Sequence, residues 1–223
     1  MKNKPSRSSR LLASDLGPHH TVLNRPNVPV KDLFVYARSF HTAAKKMAEA
    51  LEHGSGPFNE FDACPVVFMY RHALVLHLKA LVLGEGGNFL VTKPDHISVG
   101  KTHSVSWLAQ FVCQIITAVK WENEFRCEGV ENLADFKAVT EELTAVDPGS
   151  YVFRLPAIIA QGQDSAPGRV KLTIRDFARR MDALLELLDS TADALAATWD
   201  MHMEGPAPEG ELDAGNGFDP TIQ

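Results

Sequence analysis

Little in this sequence supports a scaffold held by covalent or metal cross-links. Its 223 residues include three cysteines. Cys64, Cys113 and Cys127 form no C-x-x-C pair, and their odd number does not suit a disulfide framework. Reduced thiols in a cytosolic setting are the simpler expectation, with Cys64 and Cys113 packing as small hydrophobes inside apolar runs. Net positive charge is missing too. Lys and Arg number 22 against 28 Asp and Glu, leaving a formal charge of −6. That argues against a broadly electropositive nucleic-acid binder, though not against a local basic pocket. No apolar run approaches the roughly 20 residues needed to span a bilayer. The longest, Pro65 to Leu83, is broken by Arg71, His72, His77 and Lys79. Lys2, Lys4, Arg7 and Arg10 are followed by no apolar stretch, so a signal peptide is not expected. A cytoplasmic chain without a membrane partner is the expectation.

The composition is otherwise that of an ordinary globular protein, 45% hydrophobic and 22% charged, sufficient for one domain with a proper core. Residues 1–29 are rich in Ser, Pro, Asn and basic side chains and lack a repeating apolar face, which predicts a mobile arm. Residues 204–223 are Pro/Gly-rich and acidic, which predicts a disordered tail. Between them, residues 30–203 read as an all-α domain, a bundle of about five helices with two long loops. From Lys31 to His53, Phe34, Ala37, His41, Ala44, Met47, Ala48 and Leu51 share one face. The stretch from Pro65, a favoured first helical residue, to Gly84 is apolar almost all round and predicts a central helix. Helices over Ser104–Asn123 and Val130–Val146 follow, the latter stopped by Asp147-Pro148-Gly149. The last starts at Thr173, with Asp176 three residues on in a variant of the capping box. Asn88–Thr92 and Tyr151–Leu155 are expected to be short extended pieces, since alternation never lasts long enough for a sheet.

Familiar site motifs are incomplete. Gly100-Lys101-Thr102 resembles the end of a phosphate-binding loop, but the position that needs the earlier glycine holds Asp95. His72 and His77 are five apart and turn away from each other on a helix, no H-x-x-x-H pair exists, and His19 and His20 lie in the arm. No metal and no cofactor are expected. Without a G-x-S-x-G elbow or a sheet to present it, a Ser-His-Asp hydrolase is disfavoured. Trp107 and Trp121 read as helix packing. The informative feature is the central helix. At about 100° per residue, Arg71, His72 and Lys79 share about a quarter of its circumference. Buried cations need partners, because an unanswered charge costs several kcal/mol. Asp147 and Glu142 are the candidate internal partners; a bound anion or RNA phosphate is the alternative.

Tyr70-Arg71-His72-Ala73-Leu74, continuing through Leu76, Leu78 and Lys79, resembles the signature helix of HEPN-like proteins, helical domains of prokaryotic toxin, defence and nucleotide-related systems. The resemblance extends to Lys101-Thr102-His103-Ser104 with Leu108, to the run from Asp147 through Arg154 to Pro156, and to the final amphipathic helix. It implies a helical, dimeric module that binds a protein or RNA partner, with Arg71, His72, Lys79, His103, Asp147 and Arg154 as candidate binding residues. Many HEPN-like proteins resemble metal-independent ribonucleases built on an Arg and a His. Here that pattern selects Arg71 and His77, with His72 as the other candidate acid or base. The sequence departs from its relatives at Val75, where they tend to carry Glu. A carboxylate that would answer Arg71 and Lys79 from within the helix is thereby lost.

Overall fold

The computed structural model describes residues 32–53, 60–150 and 171–203. They form six α-helices: α1 (Asp32–His53), α2 (Glu60–Leu83), α3 (His96–Lys101), α4 (Val105–Val119), α5 (Leu133–Val146) and α6 (Ile174–Met203). A 3-10 turn over Glu85–Phe89 follows α2. Among the described residues there is no strand, only an isolated bridge between Cys127 and Val130. The expected all-α bundle is what the chain forms. The arm, the acidic tail, Tyr151–Leu155 and Arg154 lie outside the described residues.

α2 is the hub. It is apolar nearly all round, and it packs on α1, α3, α4, α6 and the 3-10 turn. Val66, Tyr70, Ala73, Leu74 and Leu78 are completely buried. Burying each such leucine stabilises the fold by about 1.5–3 kcal/mol before the entropy of ordering it is counted. Contrary to the expectation that no run is long enough, Ala63–Leu83 is by length and composition apolar enough to cross a bilayer, because its few polar residues are too sparse to break it. The fold nevertheless buries 72% of that window. Its hydrophobicity is the kind a bundle's central helix requires. α1 runs antiparallel along α2, since Phe34 meets His77 while Phe40 meets His72. It also runs antiparallel to α6, since Arg38 meets Asp189 while His41 meets Asp182.

Helix ends follow local chemistry. Asp95 caps α3 through Ser98 N, Ser104 caps α4 through Trp107 N, and Asn132 caps α5 through Ala134 N and Asp135 N. These caps place α5 three residues later than its apolar pattern predicts, and they create α3, which apolar periodicity did not reveal. α4 stops at Lys120, whose left-handed backbone (φ 62°) ends it short of Asn123. α2 starts at Glu60 rather than Pro65, so that Pro65 lies inside the helix. As the sixth residue of α2, Pro65 removes the hydrogen bond to the carbonyl four residues back, and its ring crowds that carbonyl. The expected extended piece at Asn88 begins instead inside the 3-10 turn. Here the chain folds back over the end of α2, and a Cβ on Gly86 or Gly87 would meet Leu81 O at 2.6 Å or Val82 O at 2.4 Å. Only glycine permits so close a return.

Candidate functional site

Arg71 projects from the middle of α2 toward the α3–α4 junction and the end of α5. Its Nη2 donates to Asp147 O at 2.7 Å and to His103 O at 3.0 Å, and its Nε lies 3.4 Å from Asp147 Oδ2. Arg71 is 1% exposed and Asp147 is fully buried. The Asp147-Pro148-Gly149 stop therefore does more than end α5: it delivers a carboxylate into the core opposite the guanidinium. Asp147 is the partner expected for this cation. Glu142 is exposed and lies instead along the rim of a neighbouring cavity.

Lys79 stands eight residues on, on the same side of α2. Its Nζ donates to Gly100 O at 2.7 Å, at the end of α3, and burial pushes its ammonium below the ordinary lysine value. Arg71 and Lys79 thus hold the α3–α4 junction at two carbonyls, one on each side of Thr102. His103 contributes its carbonyl to this arrangement, while the residue is exposed. His72 leaves the group. It turns to α1, where its ring meets Phe40 edge-on at 4.4 Å and stacks with Phe68 at 5.8 Å. The quarter-circumference grouping therefore holds for Arg71 and Lys79, and the aromatic side chains of α1 and α2 draw His72 away.

His77 faces yet another way. It is fully buried, packs edge-on to Phe34 of α1, and its Nδ1 donates to Ala73 O at 2.9 Å. That bond leaves Nε2 as the acceptor nitrogen. Nε2 has no hydrogen-bond partner and lies 3.8 Å from Asp189 Oδ1 on α6. Burial holds the imidazole below the ordinary histidine value. Arg71 and His77 consequently serve different interfaces of α2, and the structure does not bring them to one point.

A second polar cluster, absent from the sequence-based candidates, joins α1, α2 and α6. Asp182 Oδ1 accepts from Tyr70 Oη at 2.8 Å and meets His41 Nε2 at 2.7 Å, with Lys45 Nζ 3.9 Å from Oδ2. The Tyr70 hydroxyl is held far above the ordinary tyrosine value, first by burial and then by Asp182, so it remains a donor. Two turns along, Arg38 Nε reaches both oxygens of Asp189, at 2.7 and 2.9 Å. The signal was present as two rows: Arg38, His41 and Lys45 on α1, and Asp182, Asp189 and Asp193 on α6, each at near-heptad spacing. Antiparallel packing puts them opposite each other. Nothing in either row by itself reveals that pairing.

A cavity of about 290 Å³ opens between α5 and the start of α6, lined by Val139, Leu143, Val146, Phe177 and Met181 with Arg180 at its edge. Among the described residues, no group of three or more His, Cys, Asp or Glu is placed to hold a metal ion. Arg71–Asp147 can brace a junction, and Asp182 can orient an imidazole and a phenol. With 1% exposure, the guanidinium reaches no external phosphate unless the junction opens. Comparison with protein-family models, curated proteins and solved structures finds no match to this chain.

Proposed function

We propose that this chain is a non-catalytic, HEPN-like helical module, acting as a dimer that binds a partner in a bacterial stress or defence setting. The observation that carries this reading is the position of Arg71. Its guanidinium is withdrawn from solvent and committed to Asp147 and to the carbonyl of His103. The Arg of an RNA-cleaving site must steady phosphate charge, and its His must reach a proton on the substrate. Neither Arg71 nor the buried His77 offers such reach, and the two address different helices. Arg71, Lys79 and Asp147 instead hold the α3–α4 junction in shape. The formal charge of −6 favours a protein partner over RNA.

The test is incubation of the purified chain with mixed RNA in the presence of a metal chelator, beside Arg71→Ala and His77→Ala. No degradation is expected. Degradation by the wild type that both substitutions abolish would overturn the reading in favour of a metal-independent ribonuclease. Light scattering on a sizing column checks the dimer, and a monomer at every concentration removes that part.

A further inference from the structure

We propose that the segment Val91–Lys101, which ends in α3, is a docking surface for an acidic, amphipathic segment of a protein partner. This inference rests on the partner-binding reading above and names the surface and the partner's chemistry.

Large apolar side chains are exposed at Val35, Tyr36, Val91, Ile97, Leu172 and Met201. Val35, Tyr36, Leu172 and Met201 each lie within five residues of a segment outside the described residues. Val91 and Ile97 do not. They sit inside the continuous stretch 60–150, at 103% and 67% exposure. They are six positions apart, so their Cα atoms lie within about 20 Å of each other.

The scaffold beneath them is held in place. Val99 is fully buried, Asp95 caps α3, and Lys79 and Arg71 hold the carbonyls of Gly100 and His103. Such a segment loses little freedom on binding, which favours affinity. Its charge runs against that of the whole chain. Lys93 and Lys101 are exposed, as are His96 and His103, while Asp95 directs its carboxylate to Ser98 N of its own helix. Cations flanking aliphatic anchors match carboxylates flanking apolar side chains. RNA is the poorer match, because His96 supplies the segment's single aromatic ring, short of a platform on which successive bases stack, and the whole chain carries a formal charge of −6.

The test measures fluorescence anisotropy of a labelled peptide carrying leucine and glutamate at helical spacing, beside its lysine counterpart and a single-stranded RNA. The glutamate peptide is expected to bind about tenfold or more tighter than the lysine peptide, and to weaken as salt rises. Val91→Asp, Ile97→Asp and the pair Lys93→Glu with Lys101→Glu should each weaken it about tenfold. Thermal melting, unchanged for these exposed sites, shows that the variants fold. Equal binding of the two peptides, binding indifferent to all the substitutions, or no binding by the folded chain overturns the proposal. RNA binding that the same substitutions abolish overturns the assignment to a protein partner. The RNA-degradation assay is independent. A chain that degrades no RNA and ignores the peptide loses this surface but keeps the module reading. A chain that degrades RNA through Arg71 and His77 loses that reading whatever the peptide does.

Discussion

Arg71 and Asp147, 76 residues apart in the chain, meet 3.4 Å apart in the core, at 1% and 0% exposure. This contact ties the middle of α2 to the end of α5, two helices that otherwise share little surface. Taking two charges out of water is costly, and their attraction offsets that cost only while both are present. The pair therefore contributes most through the geometry it enforces at the α3–α4 junction.

Removing one partner should cost more than removing both. Asp147→Ala strands a buried guanidinium and is expected to lower unfolding free energy by about 3–5 kcal/mol. Arg71→Met combined with Asp147→Leu should recover a large part of that loss. Urea denaturation of the singles and the double checks this, and additive losses would refute the coupling.

His77 makes the fold acid-sensitive. Its folded-state value lies below the ordinary 6.5, chiefly through burial. Asp189 on α6 pulls it up, while Arg38 and His41 on α1 push it down. Below pH 6.5 the unfolded chain binds a proton that the folded chain resists. Stability is therefore full above that pH and falls as pH drops through it, by at most about 1.4 kcal/mol per pH unit for one proton. His77→Gln should reduce this slope in denaturation series between pH 7.5 and 5; an unchanged slope would locate the acid sensitivity elsewhere.

Tyr70→Phe keeps the packing against Phe177 and deletes one donor to Asp182. A hydrogen bond to a charged group contributes about 1.5–3 kcal/mol, and a loss of that order is expected. Because His41 and Lys45 still face Asp182, Asp182→Ala should cost more than Tyr70→Phe. Thermal melting of the two variants decides the order.

Gly129 holds φ +80°, and a Cβ there would meet Arg180 Nε at 2.8 Å. Gly129→Ala combines an unfavourable backbone with displacement of that side chain, and about 1–2 kcal/mol of destabilisation is expected. Chemical denaturation measures it, and a neutral result would show that the turn relaxes freely.

Lys79→Met removes a desolvated ammonium and its bond to Gly100 O. The two effects oppose each other globally, so stability should change by less than about 1 kcal/mol. Locally the bond to α3 is lost. Amide exchange across His96–Lys101 is expected to quicken in this variant, and unchanged exchange would show that Val99 alone anchors α3.

The sequence by itself determined the all-helical class, the hub position of α2 and the stop after Val146, and it narrowed the carboxylate facing Arg71 to Asp147 or Glu142, between which the tertiary structure chose Asp147. Periodicity, proline and glycine act over a few residues and are readable along the chain. It missed α3, whose evidence is one Asp95 cap over six residues, and it placed the starts of α2 and α5 several residues away. Tertiary structure decided which way each side chain of α2 was used. Arg71 and Lys79 brace a junction, His72 joins Phe40, and His77 lies beside Asp189. It alone also set Asp182 against His41 and Tyr70. Such partners lie more than a hundred residues apart, and their meeting depends on how whole helices pack, which no local pattern encodes.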